Sequence, residues 1–157
     1  MKIYIGADHA GFELKNTLIS FLRERGDEVI DLGAHMYDEN DDYPDFILPV
    51  AKMVSQNPEE VRGIVIGGSG IGEAIAANRM PRVRAFVFNG QRMPGDGSRV
   101  PDAVTLSREH NNANVLSLGA RLVSTPQAKE VVVRWLETPF SGDERHVRRL
   151  RKIESSS

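Results

Sequence analysis

The chain has 157 residues, 40% hydrophobic and 27% charged, a length and balance that suit one folded domain and exclude a charge-rich disordered chain. Its formal net charge of -2 gives no general attraction for nucleic acid or an anionic membrane, so neither is expected as a partner. Without cysteine there is no disulfide framework, thiolate zinc site or cysteine nucleophile, and the short apolar run in MKIYIGADHAG cannot serve as an export signal or membrane span; a cytoplasmic protein is the simplest expectation.

Lys2 to Ala7 is an apolar run that predicts a first strand, and after a polar turn Leu14, Leu18, Phe21 and Leu22 recur at helical spacing until Gly26. Glu28 to Leu32 predicts a second strand closed by Gly33. Beyond an acidic loop, Phe46, Ile47, Val50, Ala51 and Val54 predict a helix over Pro44 to Ser55. Val61 to Ile66 is the strongest buried-strand signal, and GGSGIG leads from it into the helix former EAIAANR. Val83 to Phe88 predicts a fourth strand, Asn89 to Asp102 an irregular loop, and Ala103 to His110 a helix. Val115 to Leu118 predicts a fifth strand ended by Gly119. Thr125 as cap and Pro126 as first helical residue open a helix carrying Val131, Val132, Trp135 and Leu136, and an arginine-rich helix runs from about Asp143 to Ile153. Strands alternating with helices give the α/β class: a single doubly wound, Rossmann-like domain over residues 1–154, with a five-stranded parallel sheet in the order 2-1-3-4-5 and helices on both faces. Only residues 155–157 read as a disordered tail.

In such a sheet ligands bind beyond the carboxyl ends of the strands at the switch point, here between strands one and three, where the loops are ADHAG and GGSGIGE. Gly67, Gly68, Gly70 and Gly72 let the backbone approach a ligand, and the following helix start favours an oxyanion or phosphate. Two other motifs fail on spacing. The dinucleotide fingerprint counted from Gly68 meets Glu73 at its last position, and a nucleophile elbow around Ser69 would need glycine at Ile71. Ser69 therefore reads as a hydrogen-bonding turn residue. Asp38, Asn40 and Asp42 mimic a calcium loop, but Tyr43 and Pro49 stand where glycine and glutamate are required, so the acidic cluster reads as a solvated loop and no metal site is expected. Glu73, in the first turn of its helix, is either a dipole-stabilising acid or a functional carboxylate on position alone.

GADHAG, DYPDF, GGSGIGEAIAANR, SREHNNANVLSLGAR and ERHVRR occur in this order across nearly the whole chain, which in this respect resembles the type B ribose-5-phosphate isomerases, a family that includes allose- and galactose-6-phosphate isomerases. The resemblance implies a five-stranded doubly wound domain that works as a homodimer, or a dimer of dimers, with active sites at the subunit interface and no cofactor. It implies aldose–ketose isomerisation of a sugar phosphate in the pentose phosphate pathway. Many relatives carry a catalytic cysteine at the position of Ser69; this chain is similar to the branch that uses a glutamate at the position of Glu73. On that basis Glu73 is the proton-shuttling base and His110 the ring-opening acid/base. The Ser69 hydroxyl and the amides of the turn from Ser69 through Gly70 and Ile71 to Gly72 meet the oxyanion, Gly68 is a further substrate contact, and Asp8 is a polar partner for the sugar. The resemblance also makes His9, Asn111, Arg121, Arg145 and Arg149 substrate and phosphate contacts, some from the partner subunit, and Tyr43 a pocket residue. Arg145 and Arg149, four apart, share one helix face and can grip one phosphate. His35 and His146 receive no role. Asn89 to Asp102 looks about ten residues longer than the family's connection, a length that bears on specificity. A six-carbon sugar phosphate, a noncatalytic sugar-phosphate binding module and a serine hydrolase using Ser69 are the alternatives.

Overall fold

A computed structural model describes residues 1–90 and 101–155. The expected long loop after Asn89 and the end of the expected tail therefore lie largely outside the described residues. In chain order the elements are β1 (Lys2–Ala7), a 3-10 turn (His9–Gly11), α1 (Phe12–Glu24), β2 (Glu28–Asp31), α2 (Pro44–Gln56), β3 (Val61–Gly67) and α3 (Ile71–Ala77), followed by β4 (Ala85–Phe88), α4 (Ala103–Glu109), β5 (Val115–Gly119), α5 (Thr125–Glu137) and α6 (Glu144–Glu154).

All pairings are parallel and the sheet order is β2-β1-β3-β5-β4. The expected order 2-1-3-4-5 is thus corrected at its last two strands. Burial explains the exchange: every residue of β5 is buried, as a central strand covered on both faces requires, whereas β4 is mostly half-buried and takes the edge. The switch point between β1 and β3 is unaffected.

Because successive side chains on a strand point to opposite faces, the sheet builds two cores. Ile3, Ile5, Ile64, Ile66, Leu116 and Leu118 pack with Leu18 and Leu22 of α1 and Val132 and Trp135 of α5. Tyr4, Val61, Val65 and Val115 pack on the other face with Ile47, Val50 and Val54 of α2 and Ala77 of α3. Trp135 is fully buried, with the Arg108 guanidinium 5.9 Å from its ring centroid. Arg108 donates to the Thr138 and Ala113 carbonyls and to Asn112, and burial, with Arg62 and Arg84 nearby, lowers its pKa to about 10. Lys15 is also fully buried; its ammonium lies 2.6 Å from Asp31 Oδ2 and ties α1 to the end of β2.

Several element limits move. α3 begins at Ile71, so Glu73 is its third residue, and β4 begins at Ala85 instead of Val83. The cap of α5 is Ser124, whose hydroxyl accepts from the Gln127 amide at 3.3 Å, which makes Thr125 the first helical residue and Pro126 the second.

Candidate active site

β1 and β3 end side by side, and the Asp8 amide donates to the Ile66 carbonyl across them. Asp8 is buried and caps the 3-10 turn, its Oδ1 accepting from the amides of Ala10 (2.9 Å) and Gly11 (3.1 Å). That carboxylate is therefore held rigidly.

β3 runs out into Gly67, Gly68, Ser69 and Gly70, and Gly70 takes the left-handed conformation (φ 77°) that lets the chain turn sharply into α3. A Cβ at Gly70 would also crowd the Leu118 carbonyl carbon at 3.0 Å. The Ser117 hydroxyl fixes the turn by donating to the Gly70 carbonyl at 2.6 Å. Ser69 Oγ accepts from the Ile71 amide at 3.2 Å, the behaviour of a turn residue. The expected row of open amides is thus partly closed, yet the Ser69 hydroxyl keeps its own proton to donate.

Glu73 turns back over the end of β3 and is only 4% exposed. Its carboxylate occupies the space where a side chain at Gly67 would be, and Oε2 has no hydrogen-bond partner among the described residues. Burial pushes the Glu73 carboxyl up from its ordinary value, and the nearby charge of Asp8 adds to this; the amides of Glu73 and Gly70 pull the other way. A dry carboxylate with one oxygen uncommitted is suited to accept a proton from carbon.

Tyr43, Gly68, Ser69, Gly72, Glu73, Arg121 and Leu122 line one crevice. The Tyr43 ring packs across Gly72, and the Arg121 side chain lies over Gly68. His9, next to Asp8, is half-buried; it bonds Asp41 through its amide (3.0 Å) and Nδ1 (2.7 Å). Asp38, Asn40 and Asp42 are exposed, as the solvated-loop reading expects, whereas the Asp41 side chain between them is only 7% exposed.

The remaining expected site residues are elsewhere. α4 descends to the amino end of the sheet, where Asn114 bonds the Pro58 and Arg82 carbonyls that precede β3 and β4. His110 caps that end of α4, stacked on His146 of α6 with ring centroids 4.2 Å apart and planes at 16°. Arg145 Nε donates to His146 Nε2 at 3.3 Å; Arg145 and Arg149 are exposed. Burial is the main cause holding His146 below its usual pKa, with the His110 and Arg145 charges assisting. Asn111 is exposed beside a second, apolar concavity that includes Met80, Val83, Phe86 and Leu150. At roughly 3.3 Å per residue, the four steps of β5 alone set the two groups about 13 Å apart. One chain therefore brings Asp8, His9, Tyr43, Ser69, Glu73 and Arg121 together, and it holds His110, Asn111, Arg145 and Arg149 at the opposite end.

The sequence profile described as Ribose/Galactose Isomerase matches residues 3–153. The ribose-5-phosphate isomerase B of Mycobacterium tuberculosis is 42% identical over 96% of this chain and 86% of that protein. The Escherichia coli protein of that name is 40% identical over 97% of this chain and 93% of its own length. Among solved structures, ribose-5-phosphate isomerase B from Mycoplasma genitalium with bound ribulose-5-phosphate superposes with a TM-score of 0.89, at 36% identity, covering 99% of this chain and 95% of that one. The Clostridium thermocellum enzyme gives 0.86 at 45% identity, covering 99% and 97%.

Proposed function

Since the chain belongs to the ribose/galactose isomerase family, we propose that it interconverts ribose 5-phosphate and ribulose 5-phosphate with Glu73 as the base. The observation that carries this is the buried Glu73 carboxylate, with Oε2 uncommitted among the described residues, in a crevice that Ser69 and Arg121 also line and with the Asp8 charge nearby.

In the open-chain aldose, Glu73 takes the proton from C2 and the electron pair shifts through C1 onto O1, giving an enediolate. Returning the proton to C1, as O2 gives its proton up to O1 and becomes the carbonyl, yields the ketose. One carboxylate reaches both carbons because they are adjacent. The oxyanion is met by the Ser69 hydroxyl and by the amide of Gly72, which as a first-turn helix amide has no intrahelical acceptor. Asp8, immobilised by its two amides, orients a sugar hydroxyl or the ring oxygen.

His110 opens the ring, and Arg145 and Arg149 bind the phosphate, from a second copy of the chain. Two observations support this arrangement. The two groups face opposite ends of one sheet, and Ile71, Ile75 and Leu122 expose more than half their surface around the crevice that a second copy would cover. The homodimer is thus part of the proposed site.

The experiment is a coupled assay of the purified protein on five- and six-carbon aldose phosphates, with and without a chelator. Chelator-insensitive turnover of ribose 5-phosphate is expected; preference for a six-carbon substrate, or a metal requirement, refutes the assignment. Mixing inactive Glu73→Gln and His110→Gln proteins and letting subunits exchange tests the shared site. Random pairing restores about a quarter of full activity, because half the dimers are mixed and each has one intact site. Failure of the mixture to recover would refute the two-chain site.

A further inference from the structure

Asp41, in the acidic loop between β2 and α2, is a residue to which neither spacing nor resemblance gives a role, and the fold returns it to the end of β1. Its Oδ1 accepts from the His9 amide at 3.0 Å and lies 2.7 Å from His9 Nδ1. An ionised carboxylate only accepts, so the hydrogen between them belongs to Nδ1, and Nε2 is left available for another partner. The Asp41 side chain is 7% exposed, and its Oδ2 has no partner among the described residues. A carboxylate this dry needs a counter-charge, and the group in contact with it is the His9 ring. Tyr37 meets the ring edge-on, with centroids 6.4 Å apart and planes at 88°.

The charged groups facing His9 are Asp41, Asp8 and Arg121. The hydrogen bond to Asp41 is the largest influence and raises the His9 pKa; burial and Arg121 oppose it, and the charges of Asp8 and Asp41 assist it. Asp8, His9 and Asp41 do place possible ligand atoms within 4.8 Å of one another. However, His9 Nδ1 is already engaged with Asp41 Oδ1 at 2.7 Å, and Asp8 Oδ1 accepts from two amides. The geometry favours a proton there.

We propose that Asp41 is a positioning residue for phosphate capture, holding His9 as an imidazolium whose Nε2–H is aimed at the substrate phosphate. This rests on the proposed function, in which His9 is a phosphate contact. The benefit is a cation that persists above neutral pH without a flexible arm: a phosphate dianion gains a charge-assisted hydrogen bond from a ring already fixed in tautomer and orientation.

Asp41→Asn tests it, since the amide keeps an oxygen acceptor for His9 and loses only the charge. At pH 8 the Michaelis constant for ribose 5-phosphate rises roughly tenfold, the worth of one charge-assisted hydrogen bond, while kcat changes far less. The gap narrows as pH falls, because His9 then protonates unaided, and an NMR titration shows its midpoint displaced downward from the wild type. His9→Gln is measured alongside. A Michaelis constant unchanged in Asp41→Asn but raised in His9→Gln overturns the role of Asp41 alone, as does an unmoved His9 midpoint. If His9→Gln also leaves the constant unchanged, the phosphate assignment of His9 fails and the proposal falls with it.

Discussion

Gly67→Ala moves the proposed base without touching it chemically. A Cβ at Gly67 would lie 1.8 Å from Glu73 Oε1 and 2.2 Å from its Cδ, where real Cβ atoms are essentially never closer than 3.0 Å to a neighbour. The strand backbone at Gly67 accepts alanine, so the strain falls on the glutamate side chain, which must withdraw by roughly 1.2 Å, and a displacement of this size costs on the order of a hundredfold in rate. The fold has little to lose, because alanine in an allowed backbone conformation recovers about 0.4–1 kcal/mol by restricting the unfolded chain, against the modest cost of reseating one carboxylate. The measurements are kcat/KM in the coupled assay and the melting temperature by calorimetry, on the same preparation. Near-native melting with a rate on the order of a hundredth of the wild type is expected, from the displacement alone. A folded Gly67→Ala enzyme turning over like the wild type would show that the carboxylate above Gly67 is not where the proton is taken, and the mechanism would be refuted.

Glu73→Gln lowers turnover by at least about a hundredfold, the lower range for a general base, and an unchanged rate assigns the role elsewhere. The acid limb of the wild-type pH–rate profile lies above the ordinary carboxylate range, since the base acts deprotonated and burial raises its pKa; a limb at the ordinary value contradicts the dry site. The same shift has a stability sign: with the folded pKa above the unfolded one, stability is lost as pH rises from the ordinary carboxylate value through the raised one. Glu73→Gln therefore flattens melting temperature against pH in that window, and a parallel slope refutes the shift. Asp31→Ala leaves the fully buried Lys15 ammonium unpaired and costs about 3 kcal/mol in urea unfolding, whereas a loss within error would show that solvent reaches Lys15. Arg149→Ala raises the Michaelis constant with little change in kcat, and an unchanged constant removes it from the phosphate site.

The strands and most helices were legible because parallel strands read as short apolar runs and helices as 3.6-residue stripes, patterns set by burial. Strand order at the far edge was not legible. β4 and β5 are both short and apolar, and their exchange is settled by which one buries both faces, a property of the assembled sheet. The cap of α5 was misplaced by one residue because Ser124 and Thr125 are both good caps and only geometry selects between them. In the crevice, glycine density and the position of Glu73 announced a close-approach turn, but nothing local told that its carboxylate folds back over Gly67. The Asp41–His9 contact spans 32 positions and the His110–His146 stack joins two helices, so no periodicity encodes either. Asp41 even sat within an apparent calcium-loop pattern, which drew attention to its neighbours.

The one tryptophan, sealed beneath the Arg108 guanidinium, has an optical consequence. With a single indole emitter in the chain, its fluorescence comes from a water-free setting in the native state and shifts to the red once that setting is breached. Any substitution in the crevice can thus be sorted without a label: dark chemistry with unshifted emission means a damaged catalyst, and red emission means a chain that has come apart.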